Sequence, residues 1–146
     1  MKYAHFVEMR VFSKEEDNEE QIKEKIRLLF PFEKLKIDQS TVIGFEDKKI
    51  RIFNIVLKNN SHINSFLTSL VENLSKEDKV LLEKQIDSRL DDALHFYIRL
   101  EKSRLLEGIY EITDSGNCFH FKISIATYPH SREKAKEILK QILKGL

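Results

Sequence analysis

At 146 residues, with 41% apolar and 34% charged side chains, the chain has the size of one domain with a substantial core and a heavily charged surface. Its 25 basic and 24 acidic residues leave a net charge of +1, which excludes a nucleic-acid binder working by bulk positive charge and confines any such role to local clustering. The single cysteine, Cys118, excludes an intrachain disulfide and points to a reducing, cytoplasmic setting. No apolar run approaches the ~18 residues of a membrane span, and Met1–His5 lacks the apolar region of a signal peptide.

Residues 2–12 alternate. Tyr3, Val7, Met9 and Val11, with His5 among them, fall on one face; Lys2, Glu8 and Arg10, with Phe6 and Phe12, fall on the other. That predicts a half-buried strand. Ser13 with Glu16 reads as a capping box opening a helix, whose stripe is Ile22, Ile26 and Leu29 and which Pro31 stops. Leu35 to Phe45 predicts one or two short strands. After the polar turn Glu46–Lys49, the β-branched run Ile50 to Leu57 predicts a strand buried on both faces or central in a sheet.

Asn59-Asn60-Ser61 opens a second helix, with Ile63, Phe66, Leu67, Leu70, Val71 and Leu74 at helical spacing. Ser75 with Asp78 opens a third, running to about Leu90 with Leu82 and Ile86 inward. Residues 94–101 alternate again, with Leu94, Phe96, Ile98 and Leu100 opposite His95, Tyr97, Arg99 and Glu101. A loop or short turn at Lys102–Leu106 leads to a strand near Gly108–Thr113, and Asp114-Ser115-Gly116-Asn117 is a hairpin turn. Cys118–Thr127 then places Phe119, Phe121, Ile123 and Ile125 inward and His120, Lys122 and Ser124 outward. Ser131 caps a last helix with Ala135, Ile138, Leu139, Ile142 and Leu146 as its stripe. The order β-α-β-β-α-α-β-β-β-α predicts one α+β domain over residues 1–146, a mostly antiparallel sheet with helices packed on one face.

Catalytic signatures are missing from this pattern. The five histidines do not pair at metal-ligand spacing, so neither a metal nor another cofactor is expected. The four glycines, at 44, 108, 116 and 145, stand too far apart for a phosphate-cradling loop. Cys118 has no evident base beside it. Asp91 and Asp92 are weighed as an acid–base pair, but they equally cap a turn or pair with Arg89 and Arg99. A non-enzymatic role follows.

The outward residues are more informative. Tyr97 and Arg99 on one strand and His120 and Lys122 on another mix aromatic and cationic groups, a composition that neutralises phosphates and stacks on unpaired bases. Lys102 and Arg104 extend the set from the adjoining loop, and Arg89 precedes it. On the last helix Arg132, Lys136, Lys140 and Lys144 form a basic ridge, which a solvated helix face explains equally well.

The stretch Arg89-Leu90-Asp91-Asp92, then Phe96-Tyr97-Ile98-Arg99-Leu100-Glu101-Lys102, then Gly108, resembles an archaeal family described as RNA-binding, or as a predicted exosome subunit. Tyr128-Pro129 followed by Arg132-Glu133-Lys134-Ala135 resembles its closing segment, and Leu29-Phe30-Pro31 also fits. Glu101 stands where the family pattern has Asp, Ser103 where it has Gln, and Lys48-Lys49 where it has Asn-Pro. The resemblance implies a fold like that of the ribosomal protein that grips 5S ribosomal RNA. It also implies a non-enzymatic RNA contact. Joined to the outward residues, the expectation is an RNA-binding accessory protein near ribosomal RNA or the exosome and not at a membrane, with Arg89, Arg99, Lys102, Arg104 and Lys122 on phosphate and Tyr97 stacking. The alternative expectation is a protein-interaction module that joins a larger assembly without touching RNA.

Overall fold

The computed structural model describes residues 1–146. The strands are β1 (Ala4–Ser13), β2 (Asp38–Ile43), β3 (Lys49–Leu57), β4 (His95–Glu101) and β5 (Cys118–Ile125). The helices are α1 (Glu19–Leu29), α2 (Asn60–Asn73), α3 (Lys76–Lys84), α4 (Ile86–Arg89), α5 (Lys102–Leu106) and α6 (Arg132–Lys144). The strands form one antiparallel sheet in the order β2-β3-β1-β5-β4. This is the α+β class expected. No helix is long and apolar enough to cross a membrane.

Alternation in the strands decides the layering. Met9, Val11, Phe53, Ile55, Ile98, Phe119 and Phe121 project to one side and join Ile22, Ile26, Phe66, Leu67 and Leu139 from the helices in a single core. Phe66 stacks between Phe30 and Phe121, with ring centroids 5.0 and 5.5 Å away, tying α2 to the centre of the sheet. Because the helical apolar stripes all meet this side, the other face of the sheet stays open.

Several expectations change. A register shift between Ala4 and Phe6 where β1 meets β5 leaves Ala4 buried and His5 exposed, so His5 does not join the inward set. Ser13 is a buried strand end and caps nothing. Asn18 caps α1 instead, accepting from the Gln21 N–H at 3.1 Å. The intervening turn is held by the Asp17 carboxylate, which accepts the Lys14 N–H and the Lys102 ammonium, so helical geometry begins only after it. Leu35–Phe45 yields one strand, β2, fully exposed at the sheet edge.

The β3 strand lies inside the sheet between β2 and β1, one of the two arrangements expected, and is buried on one face only. Its second apolar row, Ile50, Ile52 and Val56, lines the open side. The helix expected to reach Leu90 breaks at Gln85 into α3 and α4. Lys102–Leu106 is a short helix rather than a loop, because the Glu101 carboxylate accepts the Arg104 N–H at 2.7 Å. Beyond it, Gly108 at φ +86° turns the chain back along β4, a conformation that favours glycine.

The strand expected near Gly108–Thr113 is reduced to isolated bridges. Glu101 N–H donates to the Glu111 carbonyl and Thr113 N–H to the Arg99 carbonyl, but Tyr110 bridges to Leu74 and Ile112 N–H donates to Asp78. The ladder therefore stops at one bridge, and the outward backbone of the segment is tied to Leu74 and Asp78 while its inner side covers the outer edge of β4. In α6, Leu143 occupies the inward stripe while Leu146 lies beyond the helix end and is exposed.

Candidate nucleic-acid interface

Register on the open face aligns polar side chains into rows. One crosses all five strands: Asp38, Asn54, Arg10, His120 and Arg99. The next runs through Glu8, Lys122 and Tyr97. Antiparallel pairing therefore brings together cations from three strands that are far apart in sequence.

The Tyr97 and His120 rings stack at 5.6 Å and 23°. The Tyr97 hydroxyl donates to Asp91 Oδ2 at 2.8 Å, which fixes the ring's tilt. Burial, then the Asp91 carboxylate, push the phenol above its usual pKa. Burial also lowers His120, and repulsion from Arg99 and Arg10 lowers it further, so its imidazole is held below the ordinary value of 6.5. Lys122 projects its ammonium 5.9 Å from the Phe6 ring centroid, a cation–π contact at the edge of range.

Arg89 approaches from α4, and its side chain is mostly buried, with 11% exposed. Its Nε donates to Gln85 Oε1 at 2.8 Å and its Nη1 to the Tyr97 carbonyl at 3.3 Å, while Nη2 lies 3.6 Å from Asp114 Oδ1. Arg99 donates from Nη1 to the Asp114 carbonyl at 3.1 Å. Burial and the neighbouring Arg99 charge hold Arg89 below its usual value, against the pull of Asp114. A polar hollow of about 590 Å³ opens between Gln85, Ser88, Arg89, Tyr97, Arg99, Asp114 and His120. A smaller one of about 220 Å³, lined by Arg10, Phe12, Cys118 and others, shares Arg99 and His120 with it.

Four of the six sequence-predicted contact residues, Arg89, Tyr97, Arg99 and Lys122, thus meet on this face. Lys102 does not. It is 3% exposed, and its ammonium donates to the Phe12 carbonyl at 2.6 Å and to Asp17 at 3.1 Å, so it lies inside the fold and is withdrawn from the surface set. Arg104 sits at the α5 edge near Glu107 and Glu111, outside both hollows. Arg10 and His120 complete the surface. Alternation had turned both outward, but only the pairing of β1 and β4 with β5 shows that they adjoin Arg99.

Asp91 is structural. Its carboxylate accepts the N–H groups of Ala93 and His95 besides the Tyr97 hydroxyl, and so braces a turn in which Leu94 adopts φ +63°. Burial raises its pKa, but these donors outweigh that and leave it lowered. Asp91 and Asp92 do not pair with Arg89 and Arg99; the Asp114 carboxylate lies near Arg89 and its backbone carbonyl accepts from Arg99. The α6 ridge is also interrupted, because Arg132 and Lys136 both pair with Asp87.

These features define a class: a small α+β domain with helices on one side of its sheet and an open aromatic and cationic face on the other. A family model described as RNA binding matches residues 6–127, and the chain belongs to that RNA-binding family. It is 25% identical over 146 residues to RNA-binding protein PAB1135 of Pyrococcus abyssi, covering 97% of this chain and 95% of that protein. Protein AF2318 from Archaeglobus fulgidus has the same fold, with a TM-score of 0.80 and 22% identity over 97% of this chain and 98% of that one. So does Mth689 from Methanothermobacter thermautotrophicus, described as a DUF54 protein, with a TM-score of 0.80 and 24% identity over 97% and 99%.

Proposed function

We propose that this protein is a non-enzymatic RNA-binding accessory factor and that the open sheet face is its RNA contact. The carrying observation is the convergence of Arg10, Arg89, Arg99 and Lys122 around the stacked Tyr97–His120 pair. Guanidinium and ammonium groups neutralise phosphates, and exposed rings with flat guanidinium planes accept unpaired bases. The family supports RNA as the partner. A place near ribosomal RNA or the RNA-degrading exosome, in the cytoplasm, is the finer part of the proposal and draws on the family resemblance of residues 89–135.

The test is RNA binding titrated against salt. For single strands each phosphate contact steepens the dependence of log K on log salt by about 0.7. Arg99→Gln and Lys122→Gln should each weaken binding and flatten the slope by about that amount. Undetectable binding at low salt, or unchanged slopes in both folded variants, would overturn the proposal.

A second reading rests on another surface. The β2–β3 hairpin tip exposes Ile43 at 71% and Phe45 at 88%, which suits a protein contact. Co-purification that survives nuclease treatment and is lost in Phe45→Asp would favour it.

A further inference from the structure

The hollow between α4, β4 and the 114–117 turn has an unbalanced charge. Arg89 and Arg99 both border it, Arg10 lies one register position beyond His120, and the carboxylate of Asp114 is the acidic group lining it. That carboxylate is poorly engaged. It stands 3.6 Å from Arg89 Nη2, longer than a hydrogen bond, and its side chain is 96% exposed. The Arg89 guanidinium is instead fixed by Gln85 and the Tyr97 carbonyl, so its orientation does not depend on Asp114. A rigid guanidinium facing a loosely held, exposed anion is a site where a better anion can take over.

We propose that this hollow is a phosphate subsite, in which one RNA phosphate binds Arg89 and Arg99 and displaces the Asp114 carboxylate, its internal stand-in. The inference rests on the RNA-binding reading and goes further, because it fixes where one phosphate sits and names the residue that competes with it. The size agrees: about 590 Å³ lies within the roughly 300–1,000 Å³ of small-ligand sites, enough for one nucleotide whose ring would lie near Tyr97 and His120. The displacement is cheap because the Asp114 carboxylate is solvated and stands beyond hydrogen-bond distance of Arg89, so a contact held from the solvent side contributes little. Two kinds of phosphate fit this chemistry: the diester of the backbone and the monoester at a 5′ end.

The experiment compares wild type and Asp114→Asn binding to one short single-stranded RNA, made with a 5′-hydroxyl and with a 5′-phosphate. Removing the competitor should tighten binding about two- to fivefold. Glu111→Gln, an equal charge change outside the hollow, should leave affinity within about twofold. In an Arg99→Gln background, checked for folding by thermal melting, the effect of Asp114→Asn should shrink, since half of the cationic pair is gone. Equal tightening on both RNAs assigns a backbone diester, and tightening confined to the 5′-phosphorylated strand assigns the terminal group. If wild type binds RNA but Asp114→Asn leaves affinity unchanged, or Glu111→Gln matches its effect, the subsite is overturned while the RNA reading stands. If wild type binds neither strand, both fall.

Discussion

Replacing Lys102 with methionine separates a buried lysine from a surface cation. The ammonium makes two charge-assisted bonds, at 2.6 Å to the Phe12 carbonyl and 3.1 Å to Asp17, and its side chain is 4% exposed. Bonds to a charged group contribute about 1.5–3 kcal/mol each. Two terms reduce that sum: Asp17 is partly solvated and keeps the Lys14 N–H at 2.9 Å, and methionine preserves much of the buried stem. The net loss is about 2–4 kcal/mol, which lowers Tm by roughly 6–12 °C for a chain of this size.

Urea and thermal unfolding followed by far-UV circular dichroism measure that loss. The pH profile adds a check. Burial raises the Asp17 pKa, but the Lys14 N–H and then Lys102 outweigh it and leave the carboxyl below 3.8. Its contribution is therefore complete above 3.8 and disappears as pH falls through the lower folded value. In Lys102→Met this acid-labile portion should shrink, while the RNA salt slope of the folded protein stays unchanged. A loss below about 1 kcal/mol, or a stable variant with a flattened slope, would refute the assignment of Lys102 to the interior.

Two further outcomes are expected. RNA binding should strengthen as pH falls from about 8 to about 5, because a phosphate near His120 raises an imidazole pKa that burial, Arg99 and Arg10 hold below 6.5 in the free protein, so binding takes up a proton; His120→Gln should flatten the profile. Asp91→Ala should cost about 2 kcal/mol in urea unfolding by removing the acceptor for Ala93 and His95 that braces the left-handed Leu94, and a neutral result would show that the turn holds itself.

The sequence made the layers legible because one-sided burial writes itself as alternation. β4 reads from Phe96, Ile98 and Leu100, and β5 from Phe119, Phe121 and Ile123. It misled where a local signal had two readers. Ser13 with Glu16 has the spacing of a capping box, yet Asp17 is claimed by Lys102 from 85 positions away. The same distance hid the fate of Lys102, which looks solvent-bound beside Ser103 and Arg104. Ile50, Ile52 and Val56 suggested burial on both faces because they line an apolar part of the open surface. The site was half legible for a related reason. Alternation says that Arg10, Arg99, His120 and Lys122 face outward, but their adjacency depends on strand order, which no local pattern encodes.

Strand order also reconciles a net charge of +1 with the proposed nucleic-acid surface. Acidic residues are numerous but are placed where they serve local geometry. Glu19 and Glu20 occupy the first turn of α1, Glu101 caps α5, Asp87 holds Arg132 and Lys136, and Asp17 holds Lys102. On the open face Glu8 adjoins Lys122, and the exposed Asp114 carboxylate stands 3.6 Å from Arg89 while Arg99 meets only its backbone carbonyl. The cations there are thus left under-neutralised by segregation rather than by excess. Attraction to phosphate follows the local field within about a Debye length, not the total charge of the chain. If the open face is the RNA contact proposed above, a near-neutral protein of this design would discriminate through groups that the fold itself aligns: the Tyr97–His120 stack and the Arg89 guanidinium fixed by Gln85.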